Sequence, residues 1–384
     1  MTETKFSCFW REKSFGREYQ TAVSLHGHTN RSQEHLDFIP QLAKRFPMLH
    51  AALEKQCKRS TIPVDFTKAY WTPPLSPMRA YELERNQIRN VLGLESLVSL
   101  TDHDNIEAPT MLRTVAETAH MPVSLEWSVP YQGTSFHIGV HNLPPADAQA
   151  IVADLNACTA DPREERITEI LAMLHQIPDV LLIFNHPLWN QSCTGEHRDG
   201  HVLDRFLKQT NGFLHAFEFN ATRSSRENNS VIKMAERWKQ PVISGGDRHG
   251  CDPSGALNLT RCETFSEFVQ EIRQEKRSHI VVMPQYAEPS LIITIRTLLD
   301  VIRDYPDYPE GSQRWDNRIF HPAAVGGVDR PISSLWKAPP AYVERTFACI
   351  RILENAAVQR VLRRMFRSGV ESYVPTEISP EVAS

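Results

Sequence analysis

Short apolar runs rich in β-branched residues recur along the chain, and each ends abruptly in polar residues. They read "AVSLHGHT", "LVSLTDHD", "PVSLEWSVP", "SFHIGVHN", "VLLIFNHP", "HAFEFNA", "PVISGGDRH" and "SHIVVMP". Helical patterns lie between many of them. "RAYELERNQIRNVLGL" precedes the second run, "DPREERITEILAMLHQI" the fifth, "SSRENNSVIKMAERWK" the seventh and "TFSEFVQEIRQEK" the eighth. Strands alternating with helices predict an α/β protein with a parallel sheet. Seven or eight such units predict closure into a barrel.

Two regions break this rhythm. Residues 30–90 separate the first two strands by far more than an ordinary α/β connection. They hold a helical pattern, "DFIPQLAKRFPMLHAALEKQ", and a proline-rich piece, "YWTPPLSPMRAYE". The expectation is an insertion over one end of the barrel. After about residue 285 the strands are expected to stop, leaving a helical appendage over 286–384. Its helices are "PSLIITIRTLLDVIRDY" and "PAYVERTFACIRILENAAVQRVLRRMFRSG", with Val343, Phe347, Ile350, Ala357 and Val361 at helical spacing in the second. Gly369 suits the position just past that helix, and Arg363, Arg364 and Arg367 suit its negative end. The final "EISPEVAS" reads as a loose tail.

Composition narrows the class. A hydrophobic share of 41% over 384 residues supports a packed core, and a net charge of -4 disfavours a general polyanion binder. Seven cysteines without a CxxC pair read as reduced thiols. The first twenty residues are too polar for a signal peptide, and no apolar run reaches the ~20 residues of a membrane helix. The expectation is a soluble, cytoplasmic protein with no membrane partner.

The chemistry sits at the strand ends. His26 and His28 follow the first strand, Asp102, His103 and Asp104 the second, and Glu126 ends the third. His137 lies in the fourth, His186 ends the fifth, and Asp247 and His249 end the seventh. Residues two apart on a strand share a face, so His26 and His28 are expected to project together. In α/β barrels the strands' carboxyl ends converge on the active site. Imidazoles and carboxylates are ligands for Zn²⁺, Mn²⁺ or Fe²⁺. The inventory exceeds one tetrahedral shell, which points to two or three divalent metal ions bridged by a carboxylate such as Glu126 or Asp247.

In this order, "HGHT", "TDHD", the lone Glu126, "FHIGVH", "NHP", "EFN" and "GGDRH" resemble the PHP (polymerase and histidinol phosphatase) family, over roughly residues 20–285 without the insertion. The resemblance implies a distorted (β/α)7 TIM-like barrel with a di- or trinuclear site. By position it places His26, His28, Glu126 and Asp247 around one metal. Glu126 with His137 and His186 would hold a second, and His103 with His249 a third. The chain departs from the family's HxHTxxSD text at Gln33, and a one-residue shift would bring Glu34 to the third metal in its place.

Adjacent divalent ions generate hydroxide from a bridging water near neutral pH and offset charge on a leaving oxygen. Phosphoester hydrolysis needs that and no nucleophilic side chain. Asp247, Glu126 and His249 are therefore the expected catalytic group. Arg223, Arg226 and Arg248 are expected at substrate phosphate oxygens, with Asn220 beside them. A small phosphomonoester or nucleotide is the favoured substrate. A phosphodiesterase or exonuclease acting on oligonucleotide ends is the alternative within the class, nucleic acid being allowed but not favoured. Two other classes compete, a C–N amidohydrolase and a non-catalytic metal-binding accessory protein. Amidohydrolase barrels typically add a bridging lysine or an alternative acid, and no strand end here supplies a lysine. His141, His215 and His279 read as hydrogen-bonded structural residues. His197 and His201 read as parts of a solvated loop, and Cys251 as a small packed residue. Asp102 and Asp104 are expected to orient imidazoles.

Overall fold

The computed structural model describes residues 2–11, 15–36, 68–189, 200–306, 308, 312–321, 329–335 and 341–365. It is a mixed α/β protein. One five-stranded sheet runs, in spatial order, β1 (Glu3–Cys8), β12 (Arg277–Val282), β11 (Ala256–Thr260), β2 (Thr21–Ser24) and β5 (Glu95–Val98). A second runs β10 (Val242–Gly245), β9 (Ala216–Asn220), β8 (Leu181–Asn185), β7 (Thr134–Leu143) and β6 (Val123–Tyr131). Backbone hydrogen bonds join the two sheets at their strand ends. Glu126 donates to Asp102 and Asp104 to Glu126, at 3.2 and 2.9 Å, while Gly246 donates to Leu25 at 2.8 Å.

The sheets are not purely parallel. β6 and β7 form an antiparallel hairpin, β7 pairs antiparallel with β8, and β11 is antiparallel to both its neighbours. Gln132 and Gly133 both have positive φ, 48° and 77°, as a tight two-residue hairpin turn requires. No crossover helix fits between two runs so close in sequence, and the expectation of an all-parallel sheet is corrected there. β1 and β11 add strands beyond the eight runs picked out above.

The helices follow the patterns more closely. α1 (Pro77–Gln87) has Ser76 as N-cap, and α4 (Glu164–Gln176) buries Ile167, Ile170, Leu171 and Leu174 on one stripe. α6 (Ser225–Trp238) is capped by Ser224, and α7 (Phe265–Gln270) by a capping box of Thr264 and Glu267. α2 (Glu107–Leu112), α3 (Ala148–Ala160) and α5 (Gly200–Thr210) complete the set before the C-terminal segment.

Alternation along the strands separates two cores. Leu125, Trp127 and Val129 of β6 join Phe217 and Phe219 of β9 in a large outer core against α3–α5. Val23, Leu25, Leu97, Ile183, Ala216 and Ile243 form an inner apolar plug, closed by Phe265 and Phe268 of α7. The polar strand ends sit above this plug.

β3 (Glu34–His35), β4 (Tyr70–Trp71), β13 (Ile319–His321) and β14 (Arg330–Pro331) make a small sheet in the order β14-β13-β4-β3. The C-terminal segment is therefore not purely helical, since β13 pairs with β4 from the region after β2 and β14 pairs with β13. The pattern "DFIPQLAKRFPMLHAALEKQ", His197 and Gly369 lie outside the described residues. α8 (Ser290–Ile302) forms as expected. The helix expected over 340–369 is broken into α9 (Ala341–Ile352) and α10 (Ala356–Met365). Asn355 accounts for the break, because its side-chain oxygen accepts from Ala357 N at 2.8 Å and caps a new helix. No described helix is long and apolar enough to cross a membrane.

His215 and His279 are structural, as expected. His215 accepts from Leu182 N at 2.9 Å and meets His175 at 2.9 Å; His279 meets Ser7 at 2.8 Å and Tyr19. Burial lowers their pKa values to about 2 and about 4. Folded values below the unfolded value of about 6.5 favour the native state above that pH, and the advantage is lost as pH falls. A His279→Gln variant is therefore expected to lose less melting temperature than wild type between pH 6.5 and about 4. Parallel melting-temperature curves against pH would contradict this.

Candidate metal centre

Glu126 is the hub. On β6 its side chain alternates away from Leu125 and Trp127 and points inward, with no exposed surface. Its Oε2 lies 3.1 Å from His26 Nε2, 3.4 Å from His28 Nε2 and 3.3 Å from His103 Nε2. Its Oε1 lies 3.3 Å from His137 Nδ1 and 3.1 Å from His186 Nε2. Five imidazoles thus divide between the two oxygens of one carboxylate. Asp247 Oδ1 lies 3.6 Å from Nε2 of both His26 and His28, and 3.4 Å from His249 Nδ1.

The backbone shapes this convergence. His26, Asp104, His186 and Asp247 all have positive φ, at 60°, 54°, 25° and 44°. Such values in non-glycine residues carry strain of about 1–3 kcal/mol each and cluster at functional sites. β2 ends at Ser24, so it is this turn at His26, rather than regular strand alternation, that brings both imidazoles inward.

Glu34, not Gln33, enters the cluster. Gln33 and His35 are exposed while Glu34 between them is buried. Its Oε2 lies 3.1 Å from His249 Nε2 and 3.5 Å from His103 Nε2. Ser32 donates to Glu34 at 2.6 Å and accepts from His103 N at 3.1 Å. The pairing of β3 with β4 fixes the register and carries Trp71 to 6.0 Å from the His249 ring.

The electrostatics follow from crowding. Burial pushes the three carboxyls up, but the surrounding imidazoles outweigh it, and Glu34, Glu126 and Asp247 stay well below the usual carboxylate range. Burial holds His28 at about 3 and His137 at about 4. Burial also opposes charge on His103, yet Glu34 and Glu126 raise it to about 10. For His26, Glu126 and Glu218 overcome burial in the same way.

These residues suit divalent ions. His26 Nε2, His28 Nε2, His137 Nδ1 and Glu126 Oε2 are buried without a hydrogen-bond partner among the described residues. Polar atoms left orphaned in this way carry a desolvation cost that a bound cation would remove. The separations of 3.1–3.6 Å match the ~3.4 Å edge of a tetrahedron with bonds of about 2.1 Å. Ligand atoms group as His26, His28 and Asp247; as His26, Glu126 and His186; as His103, Glu126 and His137; and as His28, Glu34, His103 and His249.

Several expected roles change. Arg248 is buried and donates to Glu84 at 3.1 Å, Gly250 O at 3.0 Å and His28 O at 3.1 Å, so all three guanidinium nitrogens are engaged within the protein. The buried Glu84 carboxylate claims its charge. Asn220 is also buried, donating to Glu218 at 2.9 Å and Asp247 at 3.2 Å while accepting from Thr222. Both of its side-chain amide atoms are thus engaged within the protein. Arg226 is exposed on the first turn of α6. Arg223 does reach the site, 2.9 Å from Asp247 Oδ2 and stacked 5.0 Å over the Trp189 ring. Asp102 accepts from Thr29 at 2.6 and 2.7 Å and Asp104 from Ser128 N at 2.7 Å, and neither bonds an imidazole among the described residues. His141 bonds Ser99 at 2.8 Å, and Cys251 meets Tyr305 at 3.3 Å. His201 lies exposed in the first turn of α5. Glu218, Ser32 and Trp189 were not assigned roles from the sequence. Glu218 had a signal there as the acid of "EFN" at a strand end, and Ser32 as the serine matching the HxHTxxSD text.

No protein-family model and no curated protein matches the chain. Among solved structures, it is similar to a protein provisionally assigned as a metal-dependent phosphoesterase from Bifidobacterium adolescentis. That likeness has 15% identity and TM-score 0.34 over 52% of this chain and 91% of the other. PsfC from Pseudomonas syringae aligns at 14% identity and TM-score 0.40, over 72% of this chain and 96% of its own. An amidohydrolase from Chromobacterium violaceum, with bound sulfate and no metal, aligns at 13% identity and TM-score 0.36, over 65% and 95%. At this level of similarity the likenesses assign neither a fold family nor a reaction to this chain.

Proposed function

We propose that the chain is a metal-dependent hydrolase that cleaves a phosphoester, with a small phosphomonoester or nucleotide as substrate. The observation that carries this reading is Glu126, with three imidazoles against one oxygen and two against the other. A carboxylate so placed suits bridging between two cations. His26, His28 and Asp247 would hold one ion, Glu126 with His137 and His186 a second, and Glu34 with His103 and His249 a third. Zn, Mn or Fe fits this nitrogen and oxygen donor set. When bound, such ions supply an activated water and offset charge on a phosphoryl group.

The chain's own residues do the rest. Asp247 and Glu126 hold negative charge in a buried place. Arg223, with its side chain 21% exposed, is the predicted cation that touches both the cluster and solvent, where it would meet a phosphoryl oxygen. The bonds joining the two sheets support reading β2 and β5–β10 as a distorted barrel of the PHP type. The order of the strand-end motifs favours phosphoester over C–N chemistry, and the absence of a strand-end lysine agrees with it.

The test is hydrolysis of a chromogenic phosphomonoester and of the matching diester in Mn²⁺, with Asp247→Asn as control. Turnover of the monoester, lost in the control, is the expected result. Turnover of the diester alone would move the substrate to nucleotide chain ends. Inactivity on both, with metal bound, would overturn the phosphoester assignment.

A further inference from the structure

We infer that Glu218, seated against Gly245, is a positioning residue that ties the ligand groups on the two sides of Glu126 to one another. The inference rests on the metal-dependent reading above. On β9, Ala216, Glu218 and Asn220 alternate inward while Phe217 and Phe219 face the outer core. Glu218 is almost wholly buried at 1% exposure, and both its oxygens are engaged. Oε1 lies 2.5 Å from His26 Nδ1. Oε2 accepts from His186 N at 2.7 Å and from Asn220 Nδ2 at 2.9 Å. Asn220 Nδ2 also reaches Asp247 Oδ2 at 3.2 Å. One carboxylate therefore touches His26 and His186 directly and Asp247 through one amide.

Each contact has a consequence at the far end of its ligand. A carboxylate at Nδ1 takes the Nδ1 hydrogen of His26 and leaves the Nε2 lone pair for a cation. That Nε2 is buried and has no hydrogen-bond partner among the described residues, 3.1 Å from Glu126 Oε2. The bond to His186 N fixes the strained backbone at the base of the other side, where His186 Nε2 stands 3.1 Å from Glu126 Oε1. Gly245 makes room for all of this. A Cβ there would lie 1.7 Å from Glu218 Oε1 and 2.5 Å from its Cδ. The φ of Gly245 is not positive, so space rather than backbone conformation demands the glycine.

The experiment measures Mn²⁺ and Co²⁺ affinity by chelator competition, with the Co²⁺ visible absorption spectrum as a second readout. Wild type is compared with Glu218→Ala, Glu218→Gln, Gly245→Ala and the Glu218→Ala/Gly245→Ala double variant. Loss of an outer hydrogen-bond partner lowers metal affinity by roughly 10–100-fold. That loss and an altered Co²⁺ spectrum are expected for Glu218→Ala, with an intermediate effect for Glu218→Gln, which keeps one acceptor. Gly245→Ala removes no polar group, yet it is expected to match Glu218→Ala because it displaces the same carboxylate. The double variant is expected to lose no more than Glu218→Ala alone, since both changes act through one contact. Should Glu218→Ala not fold, Glu218→Gln and Gly245→Ala carry the same test. Unchanged affinity and spectrum in a folded variant, or additive losses in the double variant, would overturn the inference while leaving the metal-dependent reading intact. A wild-type protein that binds neither ion would overturn both.

Discussion

Replacing Glu126 by glutamine is expected to lower kcat/KM for a phosphoester by about a thousandfold or more, with the fold retained. The carboxylate is buried among five imidazoles, with two of them against Oε1 and three against Oε2. Glutamine keeps the shape but presents an amide nitrogen where one oxygen stood. That nitrogen is a donor and has no lone pair to offer a cation. It also turns hydrogens toward imidazole nitrogens that would otherwise face metal. Steady-state kinetics in saturating Mn²⁺ checks the loss, and circular dichroism checks the fold. Activity within a few-fold of wild type would exclude Glu126 as a metal-bridging carboxylate.

The second large effect is one of stability. Arg248→Met is expected to destabilise the protein by about 3–5 kcal/mol, because it leaves Glu84 as an unpaired buried carboxylate. Glu84 is 2% exposed and receives Arg248 Nε at 3.1 Å, Ser24 Oγ at 2.9 Å and Ser254 N at 3.1 Å. Burial already raises its pKa, with Arg248 the main group opposing that rise. Without Arg248 the folded-state value climbs further above the unfolded one. A raised folded value favours the native state at low pH, and the benefit is lost as pH rises through it. The variant is therefore expected to be destabilised more at pH 8 than at pH 5. Denaturant unfolding at the two pH values checks both the size and the sign. A variant with wild-type stability and an altered KM would instead return Arg248 to substrate binding.

Much of the site was legible because its residues end apolar runs. His26, His28, His103, His186, Asp247 and His249 follow strand ends, where chain direction brings them together, whereas Glu126 and His137 lie within the antiparallel strands β6 and β7 and arrive through alternation and register. The one-residue shift to Glu34 was readable only as an alternative. Its choice depends on a two-residue strand, Glu34–His35, held by β4 from beyond residue 68, and so short a strand has no periodicity. The pairing of β4 with β13 is likewise a long-range event between strands of two and three residues.

Other failures have different physical reasons. The β6–β7 hairpin was in principle visible in "YQGT", whose Gln132-Gly133 pair leaves no space for a crossover. The internal bonds of Arg248 and Asn220 do not follow from their neighbours in the chain, because sequence adjacency does not tell which way a side chain points. Glu218 meets His26 across 192 positions, and nothing local announces that contact. The helix break at Asn355 turned on one side-chain cap.

On the reading proposed above, Glu126 joins ligand groups for more than one cation. The most direct measurement is the number of Mn²⁺ ions bound per folded chain, by native mass spectrometry after removal of all metal and stepwise reloading. Two or three ions per wild-type chain, with fewer in Glu126→Gln, is the predicted result. No retained ion at any Mn²⁺ concentration that leaves the fold intact, or an equal count in the variant, would contradict it.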